Sequence, residues 1–193
     1  MLVEKLKNKH LILASGSPRR QNFLKELGLE FEIRLKEVEE KYPSHLRGSE
    51  ITDYLSKLKA APFLEELKND DILITADTIV WLEDQAIGKP KNMDDALRML
   101  KKLSNKTHEV ISSFCISTTN RQVVVNDMTK VRFAKLEPEE IEYYLINFKP
   151  FDKAGSYGIQ EWIGYIGIDK IEGSYFNVMG FPVHKFYREL MKL

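Results

Sequence analysis

A short apolar run that breaks on a tight small-residue turn and restarts as a helix leaves few architectures open. Leu11-Ile12-Leu13-Ala14 is such a run, of strand length, and Ser15-Gly16-Ser17 is the turn. Pro18 follows, and Phe23, Leu24 and Leu27 then fall on one helical face. Ser17 suits the N-cap and Pro18 the first helical position. Such a helix aims its unpaired N–H groups and the positive end of its dipole past the turn. Arg19 and Arg20 sit in that first turn, where the dipole disfavours cations. Two readings are open. The arginines are solvated surface residues, or an anion such as a phosphate chain offsets the repulsion, gripped by the turn and a guanidinium fork.

The rest of the chain alternates in the same manner. Gly28 is expected to stop the first helix. Phe31 to Leu35 alternates as a second strand, and an acidic loop runs from Glu37 to Pro43. Ser49 is expected to cap a helix carrying Ile51, Tyr54, Leu55 and Leu58, which Pro62 ends or kinks. Ile72-Leu73-Ile74-Thr75-Ala76 reads as a central strand that Asp77-Thr78 terminates. Ile79–Leu82 and Gln85–Ile87 then read as a hairpin. A helix follows Asp94 and Asp95, with Ala96, Met99, Leu100 and Leu103 inward. Val110–Ser117 and Thr129–Ala134 are strands, and Pro138 and Pro182 open two further helices. Glycines at 155, 158, 164, 167, 173 and 180 mark tight turns in the last fifth. Strands and helices intermingle with no linker or repeat, so the expectation is one α/β domain over residues 1–193, with a mixed, twisted central sheet flanked by helices.

Composition excludes several classes. The 193 residues carry equal numbers of cationic and anionic side chains, 29 each, so no global basic field draws the chain to nucleic acid. No apolar run approaches the roughly 18 residues of a membrane span, and the first residues show no signal-peptide core. One cysteine, Cys115, rules out an internal disulfide and reads as a buried small side chain, which fits a cytoplasmic location. The four histidines have no zinc-ligand spacing. Walker, Rossmann and nucleophile-elbow signatures are missing.

Asp77 stands out among the chemical candidates. At the carboxyl end of a central strand it either caps the local turn, or holds a divalent ion or orients a water. Glu39 and Glu40 are weak alone and gain weight as partners for Asp77 around a hard cation. Lys59 lies on a helix and reads equally as a solvated lysine. Lys89, held between Gly88 and Pro90, could neutralise a phosphate. Thr78 and Gln160 offer groups that could read a base edge, against plain readings as strand and surface residues. On chemistry alone this is a phosphate-handling α/β protein, metal-assisted.

Four separated segments sharpen that reading. They are Ala14-Ser15-Gly16-Ser17-Pro18-Arg19-Arg20, Ala76-Asp77-Thr78-Ile79-Val80, Gly88-Lys89-Pro90 and the run from Asp152 to Gln160 (DKAGSYGIQ). In this order they closely resemble the Maf family of nucleotide pyrophosphatases, once named for an effect on septum formation. The resemblance spans nearly the whole chain. It implies a fold similar to the inosine-triphosphate pyrophosphatases, a divalent metal (Mg or Mn), and hydrolysis of a nucleoside triphosphate to monophosphate and pyrophosphate. It also implies a homodimer. Carried over by position, Glu40, Lys59, Asp77 and Lys89 resemble the catalytic set, with Asp77 as proton acceptor and Asp77 and Glu40 toward the metal. Ser17, Arg19, Arg20, Thr78 and Gln160 resemble the substrate-binding positions. Tyr157-Gly158-Ile159-Gln160 is similar to the branch that takes dTTP and UTP rather than 7-methyl-GTP. A non-catalytic nucleotide sensor acting in division is the reading from another class. Many members of the dTTP/UTP branch have glycine after the glutamine. Here Glu161-Trp162 stands there, a pair that could narrow the base pocket or supply a stacking ring.

Overall fold

The computed structural model describes residues 1–193. Its sheet has the strand order β2-β1-β3-β5-β6-β7, with β4 paired to β3. Parallel and antiparallel pairs both occur, so the expected mixed α/β sheet is present. The chain divides into two compact units, Met1–Asp77 with Ser112–Asp127 and Gly180–Leu193, and Thr78–Ile111 with Met128–Met179. No helix is long and apolar enough to cross a membrane.

In the first unit, a short helix α1 (Leu2–Lys5) precedes β1 (His10–Leu13), which leads into α2 (Pro18–Glu26). Ser17 takes the N-cap position and Pro18 the first turn, as read from the sequence. The Ser17 side chain makes no capping bond, however, and its backbone N–H instead donates to Ser15 Oγ at 3.3 Å. Gly28 does stop α2. At φ +73° it lets its own N–H reach Lys25 O (2.8 Å) and that of Leu29 reach Leu24 O (3.0 Å), satisfying the last carbonyls. The second strand is shorter than the alternation suggested: β2 is only Glu32–Ile33, both exposed, because it lies at the sheet edge against β1 alone.

The helix α3 (Ser49–Ala60) is capped by Gly48, at φ +49°, rather than by Ser49, which is already helical. The Glu50 carboxylate reaches back outside the helix and accepts the Arg47 N–H at 2.9 Å. Pro62 then tightens the chain into a 3₁₀ segment, Ala61–Glu66. Ile12, Ala60, Phe63, Leu73 and Cys115 form one buried cluster of this unit. Phe114, Phe181 and Phe186 pack edge-on or tilted on one another at 4.8–5.7 Å, and Phe23 stacks on Phe181.

The strand β3 (Asp71–Leu82) is the main departure from expectation. Asp77-Thr78 does not end it. What ends there is its parallel neighbour: β1 matches His10–Leu13 against Asp71–Ile74, and the Ser-Gly-Ser turn then carries it away. The residues after Asp77, Thr78-Ile79-Val80-Trp81, favour strand and continue it. Asp77 therefore lies on an unbroken strand, just beyond the end of the parallel pair.

In the second unit, β3 turns through Glu83 and Asp84, both at positive φ, into β4 (Gln85–Ile87), the expected hairpin. Helix α4 (Met93–Leu103) begins at Asn92, whose side chain accepts the Asp95 N–H at 2.9 Å, and it buries Ala96, Leu100 and Leu103. The long strands β5 (Thr107–Ser117) and β6 (Gln122–Phe133) each pass from one unit to the other. Helix α5 (Pro138–Phe148) carries a capping box between Glu137 and Glu140. The glycine-rich segment holds elements that its turns concealed, α6 (Trp162–Gly167), the edge strand β7 (Ile168–Glu172) and α7 (Tyr175–Val178). The chain returns to the first unit for α8 (Val183–Leu190), with Pro182 at its N-cap. The core of the second unit runs through Val80, Leu100, Val131, Phe133, Tyr144 and Ile163.

Candidate active site

Four side chains singled out from the sequence converge in the first unit. Asp77 is buried, with 7% of its side chain exposed, and it accepts from Lys59 Nζ at 2.6 Å. Lys59 also lies 3.0 Å from Glu40 Oε1, so one ammonium bridges two carboxylates. Lys59 is itself largely covered (18% exposed), whereas Glu40 opens to solvent (46%). Thus α3 supplies the cation, β3 the deep acid, and the loop after β2 the outer acid. The bland reading of Lys59 as a solvated lysine does not hold.

Arg20 completes the group. Its Nε donates to Gly180 O at 3.0 Å, and its Nη1 to Ala76 O at 2.9 Å and Ser15 Oγ at 3.4 Å. Burial pushes its pKa down to about 10. The Asp77 carboxylate pulls the other way, Arg19 adds to the lowering, and Glu40 opposes it. A guanidinium resists neutralisation at this depth because anions surround it. Arg20 thus ties the end of β1, the end of the parallel stretch of β3 and the start of the C-terminal segment together. Arg19 lies beside it in the same helical turn, half-buried.

Ser15 and the Gly180 carbonyl are parts of this centre that sequence reasoning did not single out. Ser15 is buried and serves both the Ser17 N–H and Arg20. Its position inside the Ser-Gly-Ser turn was the available signal. Gly180 lies 160 residues from Arg20, and nothing local announces that pairing.

Thr78, Lys89 and Gln160 belong to the second unit. Thr78 directly follows Asp77 on β3 and is half-buried. Lys89 is exposed in the break after β4, where the Gly88 carbonyl accepts the Gly155 N–H at 3.0 Å. Gln160 is half-buried, and its side-chain carbonyl Oε1 is buried with no hydrogen-bond partner. An unpaired buried acceptor is costly and calls for an explanation.

The Glu161-Trp162 pair is turned inward. The Trp162 ring packs on Tyr143 of α5, with centroids 4.8 Å apart, so it is engaged within the unit. Glu161 accepts from Tyr144 Oη and pairs with Lys153 Nζ at 3.0 Å. Burial, reinforced by this carboxylate, pushes the Tyr144 phenol well above its ordinary range. Elsewhere in the unit, His108 Nε2 meets Tyr157 Oη at 2.7 Å, and burial pushes the His108 pKa down to about 4.

No group of three or more His, Cys, Asp or Glu side chains comes together as a ready metal site. Asp77 and Glu40 do fit a hard divalent cation as a two-carboxylate set. Both donors are oxygens, and both already converge on a positive charge. Magnesium commonly takes one or two carboxylates and fills its shell with water and phosphate oxygens.

A parallel strand pair that ends in a helix-opening turn, with a buried carboxylate, an ammonium and a guanidinium packed beside it, defines an α/β protein with a paired-charge centre at the end of that pair. Within that class the chain belongs to the Maf family, whose model, described as Maf-like protein, matches residues 10–193. It is 59% identical over 191 residues to a dTTP/UTP pyrophosphatase of Flavobacterium psychrophilum, covering 99% of this chain and 98% of that protein. It is 56% identical to a dTTP/UTP pyrophosphatase of Flavobacterium johnsoniae over the full length of both. Among solved structures, the Staphylococcus aureus Ham1 protein aligns with a TM-score of 0.49 at 16% identity, over 65% of this chain and 72% of that one.

Proposed function

We propose that this chain is a metal-dependent nucleoside triphosphate pyrophosphatase that hydrolyses dTTP and UTP, and modified pyrimidine nucleotides with them, to the monophosphate and pyrophosphate. The role is house-cleaning in the cytoplasm, by a homodimer. The observation that carries the reading is the Lys59 ammonium held between Asp77 and Glu40, with Arg20 beside them. Relatives at 56–59% identity over the whole chain carry the name dTTP/UTP pyrophosphatase, which supports the substrate.

The reaction joins a water oxygen to the α-phosphorus and breaks its bond to the bridging oxygen, which leaves with pyrophosphate. Such displacements depend on positioning and charge neutralisation more than on covalent help. Lys59, Arg19 and Arg20 supply positive charge for the phosphates in the first unit, and Lys89 is the corresponding lysine in the second. Asp77 accepts a proton from the attacking water. Asp77 and Glu40 would hold a divalent cation, which when bound lowers the pKa of a coordinated water and offsets phosphate charge. Gln160 and Thr78 are the base-reading residues. Uracil and thymine present an N3–H donor beside the O4 acceptor, the complement of a carboxamide. A carboxamide oxygen accepts from that N3–H while its amino group donates to O4.

The test measures pyrophosphate release from a panel of nucleoside triphosphates, with Mg²⁺ and with chelator, for the wild type and Asp77→Asn. Turnover of dTTP and UTP that chelation abolishes is expected. In Asp77→Asn it falls by about 10²–10⁴-fold, the range of a lost general base, while nucleotide binding persists. Full activity in the variant overturns the role of Asp77. Turnover of 7-methyl-GTP alone overturns the base assignment.

A further inference from the structure

We propose that Glu161, with Tyr144 and Lys153, is a positioning device that fixes the backbone from which Gln160 projects, and so places its carboxamide for the base and sets the pyrimidine preference. The proposal rests on the base-reading role of Gln160 given above.

Gln160 sits inside a four-residue turn that is closed twice. The backbone closes it once, through the Glu161 N–H to Gly158 O at 3.0 Å. Side chains close it again. The Gly158 N–H donates to Tyr144 Oη at 3.0 Å, and the same hydroxyl donates to Glu161 Oε2. One phenol thus grips both ends of the turn. Glu161 Oε1 is held in addition by Lys153 Nζ, which Asp152 shares at 2.7 Å. These groups are well covered: Tyr144 is fully buried, and only 10% of the Lys153 and 20% of the Glu161 side chain is exposed. The Glu161 carboxylate folds directly over Gly158, where a Cβ would lie 2.8 Å from Glu161 Cδ and 3.0 Å from Lys153 Cε. A side chain at 158 would displace it.

The other flank is equally constrained. Ile159 is buried in the core of the unit. Gly164 of α6 lies against its carbonyl so closely that a Cβ would come within 1.8 Å of that oxygen. With the residues on both sides fixed, Gln160 retains only its side-chain torsions, and it keeps a buried, unpaired acceptor. Uracil and cytosine differ at the atoms that a carboxamide would meet. Uracil offers N3–H and O4, whereas cytosine offers bare N3 and an amino group. A carboxamide carried on a fixed backbone meets these atoms at a set distance and tells them apart, while one carried on a loose turn reaches them poorly. Glu161 never has to touch the nucleotide for its loss to matter.

The experiment compares kcat/KM for UTP and CTP in the wild type, Gln160→Ala, Tyr144→Phe, Glu161→Gln and the double variant Gln160→Ala/Glu161→Gln, with melting temperature measured alongside. Tyr144→Phe removes both bonds to the phenol. Glu161→Gln preserves shape and remains available if Tyr144→Phe folds poorly. Gln160→Ala is expected to abolish most of the UTP/CTP preference, and Glu161→Gln and Tyr144→Phe to lower it by about tenfold, the equivalent of one modest hydrogen bond. Glu161→Gln should change nothing further once Gln160 is absent. An unchanged preference in Gln160→Ala refutes the base-reading role and this proposal with it. A preference lost in Gln160→Ala but kept in Glu161→Gln and Tyr144→Phe leaves that role standing and overturns the positioning device. Equal losses from Glu161→Gln with and without Gln160 also overturn it, since the effect would not pass through the carboxamide.

Discussion

His108 gives a stability prediction with a definite sign. It is 1% exposed, between Phe133 and Tyr157, whose ring centroids are 5.3 and 5.4 Å from the imidazole. Its Nε2 meets the Tyr157 hydroxyl, while Nδ1 is buried without a partner. A proton added to this ring would put a charge in an apolar core, so burial lowers its pKa from 6.5 to about 4. The unfolded chain takes that proton near the ordinary value. The folded pKa is therefore the lower one, and the unfolded state binds more protons throughout the interval between them. This contribution is fully present above 6.5 and is lost as pH falls toward 4. At 2.303RT per pH unit the interval amounts to about 3 kcal/mol, of which about 2 kcal/mol is gone by about pH 5. For a chain of this size that corresponds to a melting temperature lower by about 4–8 °C. The assay is urea denaturation of the wild type and His108→Gln from about pH 8 to about pH 5. The glutamine keeps a polar group near Tyr157 and does not titrate. Carboxylates titrate in both proteins and cancel in the difference. The wild type should lose about 2 kcal/mol more than the variant over this range. Parallel pH dependence in the two proteins would refute the reasoning.

Three further substitutions probe the charged centre and the glycine-rich segment. Lys59→Met leaves Asp77 buried without its ammonium, so UTP turnover should fall by about 10²-fold or more and stability by about 1–3 kcal/mol, read by steady-state kinetics and denaturation. Arg20→Lys replaces the fork that reaches Gly180 O and Ala76 O with a single point charge. It should cost about 1–3 kcal/mol and lower the melting temperature, which an intact Tm would contradict. Gly155→Ala places a Cβ 2.7 Å from Val80 Cγ2 at a φ of +69°, and a loss of about 1–3 kcal/mol in chemical denaturation is expected.

Much of the architecture was legible locally. The Leu11–Ala14 run, the Ser-Gly-Ser turn and Pro18 dictate a strand entering a helix, because turn chemistry and helix entry act over a few residues. The apolar spacing after Asp94 specifies α4 in the same way. Asp77 was legible as a carboxylate following a buried strand run, and the four motifs placed the chain in its family. Tertiary structure decided the matters that depend on distant partners. Asp77 does not terminate β3, because the strand's end is set by pairing with β4 and not by one polar residue. Lys59 could not be told from a solvated lysine until α3 packed it between Asp77 and Glu40, 18 residues away at the nearer contact. Arg20 found the Gly180 carbonyl across 160 residues, and Glu161 turned away from solvent to Tyr144 and Lys153. Backbone periodicity reports which face of an element is buried. Which charge meets which is settled only when those faces come together, because a buried charge must be paired wherever in the chain its partner lies.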